Sequence, residues 1–247
     1  MKKSILYIIS IIAVLSVMLY QYDLPKMGFA NYDYVHRGYF TDTIPENSIE
    51  SIEKAMALNK GIEIDIRLSK DKYPMVFHDY RLGRMTSTEG FFGALNKSDL
   101  GTIFLLGSDE MIPSLEEALS LVNGKVPIIL DLKGDIISSA LEEEVLKALK
   151  DYKGTVYIQS ANPITNRYLS KNSSYKIGYI TISALPIGDL SFQKMQALLA
   201  DSISEFDYVA LNGKYIKADD LKTLDDFLIW FVNKNKMIRP KLKENNI

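Results

Sequence analysis

The sequence has 247 residues, 47% apolar and 24% charged, with 29 lysines and arginines against 31 aspartates and glutamates. That balance fits a folded chain with a sizeable core, and a formal charge of −2 argues against nucleic acid held by neutralised phosphates. There is no cysteine, which excludes disulfides, thiolate metal sites and a cysteine nucleophile, and any imidazole chemistry must use the two histidines, His36 and His78.

Residues 4–20 (SILYIISIIAVLSVMLY) carry no charge. As a helix they reach about 25 Å, near the short limit for crossing the hydrocarbon core. Lys2 and Lys3 precede them and would keep the amino terminus cytoplasmic. An uncleaved anchor is preferred to a signal peptide, because bulky and polar residues follow the run where cleavage needs small ones; a buried core helix is the third reading. The expected organisation is an anchor over 1–22, a linker over 23–30 and one domain over 31–247. That domain would be extracytoplasmic and tied to the cell membrane by a single pass. Beyond Lys2 and Lys3 the chain carries 27 basic and 31 acidic residues, so anionic lipid would not draw it strongly.

From there the chain alternates strand and helix. Residues 33–36 form a short apolar stretch ending in His-Arg-Gly. Asn47 with Glu50 reads as a helix-capping pair opening an amphipathic stripe through Leu58. Residues 62–68 (IEIDIRL) alternate at period two, and 74–77 (PMVF) follow too soon for a parallel crossover. These two strands must form an antiparallel hairpin turning at Lys70-Asp71-Lys72, which carries His78 back toward Glu63 and Asp65. Residues 81–112 read as a loop rich in Gly, Ser and Asp, without a second domain.

Ser114 with Glu117 caps a further helix, 126–132 (VPIILDL) is a buried strand, and 138–152 an amphipathic helix. Residues 155–159 form a strand, Asn162-Pro163 start a helix, and 175–181, 208–211 and 227–232 read as three more strands. Such βαβ alternation is most simply an α/β fold of the (β/α) barrel type, with its active site at the carboxyl ends of the strands.

The polar residues at those ends are informative. Glu63 and Asp65 share one strand face, as do Asp131 and Lys133. With His36, Arg37 and His78-Asp79 they suit phosphoryl chemistry. Carboxylate ligation favours Ca²⁺ or Mg²⁺, two imidazoles can divide acid and base work, and Arg37 and Lys133 can hold phosphate oxygens. The plainer alternatives are structural histidines, a solvated strand face for Glu63 and Asp65, and a simple Asp131–Lys133 ion pair. A charge inside VPIILDL does need a partner or a metal.

Several segments in order resemble the glycerophosphodiester phosphodiesterase family: His36-Arg37-Gly38, Pro45-Glu46-Asn47-Ser48, Gly61-Ile62-Glu63-Ile64-Asp65-Ile66, and Lys70-Asp71 through Pro74, Val76 and His78-Asp79. Ile112-Pro113-Ser114-Leu115-Glu116-Glu117, Asp131-Leu132-Lys133, Ile158-Gln159-Ser160 and Trp230-Phe231-Val232-Asn233 complete the set. The resemblance implies a TIM-type barrel that uses Ca²⁺ or Mg²⁺ to hydrolyse glycerophosphodiesters, small-molecule substrates, to glycerol 3-phosphate and an alcohol. It implies that His36 and His78 are the acid/base pair and that Glu63, Asp65 and Asp131 are metal ligands. Arg37 and Lys133 would contact phosphate, Glu46 would support the site or else serve as a cap or structural residue, and Trp230 would wall the glycerol or else pack in the core. Asp131 stands where the family usually has glutamate, and Phe231 where it usually has threonine. Seven barrel strands are counted and the tail after Asn233 is basic and polar, so the eighth strand is expected to be missing. That gap motivates a rival reading as a catalytically inactive, membrane-tethered phosphodiester-binding module. Another alternative keeps the enzyme but acts on lipid headgroups in the manner of phospholipase D.

Overall fold

The computed structural model describes residues 33–134, 137–180, 207–212, 227–231 and 236–238, with the last strands described mainly by their backbone. The expected anchor and linker lie outside these residues. Among the described residues no helix is long and apolar enough to cross a membrane.

Nine strands form one sheet: β1 (Tyr34–Val35), β2 (Gly61–Leu68), β3 (Pro74–Val76), β4 (Ile128–Leu132), β5 (Val156–Ser160), β6 (Lys176–Ile180), β7 (Tyr208–Asn212), β8 (Phe227–Phe231) and β9 (Lys236–Ile238). The described helices between them are α1 (Ile49–Ala57), α2 (Lys97–Leu100), α3 (Leu115–Val122), α4 (Ala140–Ala148) and α5 (Pro163–Asn172). β1, β2 and β4 to β8 pair side by side in parallel. β3 folds back antiparallel on the end of β2, the hairpin expected from the sequence.

The missing eighth strand is a point of correction. β9 pairs antiparallel with both β8 and β1, so the ring closes. Three residues inside a basic tail are too few to show strand periodicity, which is why the sequence hid them. The open edges that motivated the inactive reading are therefore covered among the described strands.

Strand parity decides what enters the barrel. On β2 and β4, Ile62, Ile64, Ile66, Ile128, Leu130 and Leu132 join Ile52, Leu115, Ala118 and Val145 of the helices in one buried apolar cluster. The alternate residues, Glu63, Asp65 and Asp131, must face the other way, into the barrel. Its interior also holds Tyr34, Tyr157 and Tyr208, whose rings meet edge to face at 6.5 and 6.4 Å between centroids. Gly178 makes room for this stack, since a Cβ there would lie 2.2 Å from the Tyr208 ring. The loop over 81–112 is not merely polar. Leu82, Phe92, Leu100, Leu105 and Ile112 bury themselves with Met75 and Phe77 in a small core of their own, which fixes the loop beside the barrel mouth.

Candidate active site

β1 ends in a turn with two successive left-handed residues, Arg37 (φ 57°) and Gly38 (φ 75°). Glycine is required at the second, because a Cβ would fall 2.2 Å from Ser51 Oγ. The turn aims two amides at β2: Arg37 N–H donates to Glu63 Oε2 at 2.8 Å and Gly38 N–H to the Glu63 carbonyl at 3.1 Å. It also brings His36 Nε2 to 4.0 Å from Glu63 Oε2. Burial, reinforced by Arg37, pushes the His36 imidazole down to about 3, so it is neutral at physiological pH.

Glu63 and Asp65 project from β2, and Asp131 lies directly across from Asp65 on β4. One oxygen from each of the three lies within 4.8 Å of the others, and all three residues are buried. Lys133 Nζ is 2.6 Å from Asp131 Oδ2 and 3.0 Å from Asp65 Oδ1, while Arg37 Nε is 3.2 Å from Asp65 Oδ2. Burial opposes ionisation of Asp65, but Lys133 and Arg37 outweigh it and hold the carboxyl below the usual range. Burial raises Glu63 well above that range, with Asp65 and Asp131 adding repulsion. Asp131 is raised chiefly by burial, against the pull of Lys133.

These residues fit a divalent cation. The three donors are oxygen only, Glu63 is repelled by Asp65 and Asp131 more than Lys133 attracts it, and Asp131 Oδ1 is buried without a hydrogen-bond partner among the described residues. Glu63, Asp65 and Asp131 are the residues that could hold such an ion.

Asn47 does not cap the helix, contrary to the capping pair expected with Glu50. The cap is Ser48, which exchanges bonds with Ser51 across the first turn of α1. Asn47 sits one residue earlier in a left-handed conformation (φ 59°) and turns its amide to Asp65. Its Nδ2 donates to Asp65 Oδ2 at 2.8 Å, and its Oδ1 accepts from the Asp65 amide at 3.1 Å. Asn47→Ala would strand both groups of a residue that is fully buried. We expect a loss of about 2–4 kcal/mol in urea unfolding; a change near zero would mean that water replaces the amide.

His78 follows the hairpin and is partly exposed. Arg67 Nε donates to its carbonyl at 2.8 Å. Its Nδ1 lies 2.6 Å from Asp79 Oδ1, and because a carboxylate only accepts, that nitrogen carries the proton and Nε2 is left for the barrel mouth. The amide of the preceding Phe77 donates to the Asp65 carbonyl at 2.9 Å, which places His78 at the same end of the barrel. Arg84, from the 81–112 loop, bonds Asp79 through Nε and Glu46 through Nη2. Glu46 Oε1 also accepts from Arg37 Nη1 at 2.8 Å.

The structure thus gathers His36, Arg37, Glu46, Glu63, Asp65, His78, Asp131 and Lys133 around one mouth. Trp230 lies on β8, opposite Asn212 on one side and Met237 on the other; its side chain is outside the described part. Sequence reading missed the Asp65 contact of Asn47 and the part played by Arg84. A groove of about 330 Å³ opens beside Lys133, lined by Arg67, Tyr80, Phe91, Gly134 and Ser138 among others.

The profile of the glycerophosphoryl diester phosphodiesterase family matches residues 36–247. A glycerophosphodiester phosphodiesterase of Caldanaerobacter subterraneus is 34% identical over 157 residues, covering 59% of this chain and 64% of that one. The chain therefore spans somewhat under two thirds of this relative's length. Among solved structures, an Oleispira antarctica phosphodiesterase in complex with the product sn-glycerol-3-phosphate shares the fold at a TM-score of 0.65, with 20% identity over 80% of this chain and 82% of that one. A Thermotoga maritima glycerophosphodiester phosphodiesterase superposes at 0.63, with 21% identity over 82% and 87%.

Proposed function

Because the chain belongs to the glycerophosphoryl diester phosphodiesterase family, we propose that it hydrolyses glycerophosphodiesters to glycerol 3-phosphate and an alcohol. The observation that carries this reading is the set of three buried, converging carboxylates at the same mouth as both imidazoles.

His36, kept neutral by burial, is suited to take the proton of the attacking hydroxyl, whether water or the glycerol 2-hydroxyl. His78 is suited to protonate the leaving oxygen through Nε2 when that nitrogen carries a proton, because Asp79 at 2.6 Å holds the Nδ1 side of the ring. Arg37 spends Nη1 and Nε on carboxylates, and its guanidinium has five donors, so others remain for a phosphoryl oxygen. Lys133 stands among the aspartates and adds a second positive charge. Glu63, Asp65 and Asp131 would hold Ca²⁺ or Mg²⁺, which supplies Lewis-acid polarisation of a phosphoryl oxygen when bound. Trp230 would wall the glycerol, and the groove beside Lys133 would receive the alcohol. Glu46 supports the site by holding Arg37. The uncharged run over residues 4–20, behind Lys2 and Lys3, supports a single-pass anchor with the barrel extracytoplasmic.

The test is release of sn-glycerol 3-phosphate by the purified full chain from glycerophospho-alcohols of different headgroup, followed by a coupled dehydrogenase assay. Turnover of at least one soluble diester is expected. Binding without release would favour the inactive module. Faster attack on micellar lysolipid would move the substrate class to lipid headgroups.

A further inference from the structure

The geometry points to Arg84 as a positioning residue that ties the Asp79–His78 pair to the Glu46–Arg37 pair and so sets the proton donor in register with the phosphate-holding arm. The inference rests on the proposed role of His78.

Three separate segments meet here. Arg37 and Glu46 come from the connection between β1 and α1, His78 and Asp79 from the end of the β2–β3 hairpin, and Arg84 from the 81–112 loop. Each carboxylate is shared. Asp79 takes the His78 ring on Oδ1 and Arg84 on Oδ2. Glu46 Oε1 takes Arg37 at 2.8 Å and Arg84 at 2.5 Å. Both pairs therefore converge on one planar guanidinium, whose rigid fork fixes the spacing between its two acceptors. A lysine is a point charge on a flexible stem and has no such fork.

Arg84 is itself well seated. Met85 and Thr86 amides both bond the Leu82 carbonyl, and Leu82 and Thr86 are buried. The guanidinium lies on a fixed turn although its side chain is 46% exposed. Exposed ion pairs contribute little to stability. The consequence of removing Arg84 should therefore fall on the orientation of His78 and Arg37, while the fold survives.

The experiment compares Arg84→Met and Arg84→Lys in the full chain, with Arg81→Met as control. Arg81 stacks over Phe91 at 4.7 Å and takes no part in the network. The first readout is ¹⁵N NMR of the imidazoles, which is tractable because the chain has two histidines. The wild type should show His78 protonated at Nδ1, and Arg84→Met should shift it toward the other tautomer while leaving His36 unchanged. The second readout is kcat with two leaving groups. A loosely held proton donor should cost about 10- to 100-fold on an alkyl diester and less than about threefold on glycerophospho-p-nitrophenol, whose leaving group needs little protonation. Arg84→Lys should recover part of the alkyl loss, and Arg81→Met should match the wild type.

Unchanged His78 resonances in Arg84→Met would overturn the inference, and so would equal losses on the two leaving groups. If Arg84→Met fails to fold by circular dichroism, Arg84→Lys carries the same two readouts. If the wild type cleaves no diester, the functional reading fails by itself and the NMR comparison still decides the place of Arg84.

Discussion

Alanine in place of His36 or His78 is expected to lower kcat by about 10²–10⁴-fold, the range for losing a positioned acid or base. The two losses should differ in kind. His36 is buried beside Glu63 and neutral, which suits it to the attack, a step needed whatever alcohol departs. Its loss should be the same for an alkyl and an aryl leaving group. His78 is partly exposed, with Asp79 on Nδ1, and should matter only when the departing oxygen needs a proton. His78→Ala should therefore be spared by an acidic phenol and severe on an alkyl diester. The double variant should be little worse than the poorer single one, because groups that act as a unit are not additive. A leaving-group-independent His78→Ala would remove the assignment of acid and base, and undiminished turnover of the alkyl diester in either variant would end the two-histidine mechanism.

How far the sequence shows this site depends on the range of each contact. The hairpin was legible because the gap between residues 68 and 74 is too short for a crossover, and it placed His78 correctly relative to β2. The inward direction of Glu63 and Asp65 followed from period two. That Asp131 lies exactly one strand away in register is a property of the β2–β4 pairing, which no local pattern encodes. Asn47 shows the opposite failure. Asparagine and serine are both good caps, so local preference could not separate Asn47 from Ser48, and a tertiary bond to Asp65 decided it. Arg84 left no signal at all, because its partner Glu46 is 38 residues away. β9 was hidden for a related reason: its identity rests on pairing with Tyr34 and Trp230 across the ring, not on its own three residues.

The carboxylate cluster leads to an equally large effect. Chelation is expected to abolish hydrolysis and Ca²⁺ or Mg²⁺ to restore it, and the ion should also be visible without any substrate. Three buried carboxyls repel one another, and burial keeps Glu63 and Asp131 above their ordinary range. A dication removes that repulsion only in the folded state, so it must stabilise the fold. At about a hundred times its Kd the gain is about 2.7 kcal/mol, which for a domain of this size raises Tm by roughly 5–10 °C. Since Glu63 holds its proton above the usual range, entry of the ion displaces it, and the apparent Kd should weaken by up to about tenfold per unit as pH falls below that raised value, a loss that begins above the usual carboxylate range. Asp131→Asn keeps the shape but removes one charge, and should shrink both the Tm shift and the restored activity. Asp131→Glu probes the short side chain: since Asp131 already brings an oxygen within 4.8 Å of the other two, glutamate should gain nothing and should crowd Lys133. A Tm indifferent to saturating ion, together with turnover unaffected by chelator, would show that Lys133 and Arg37 alone balance the three carboxylates.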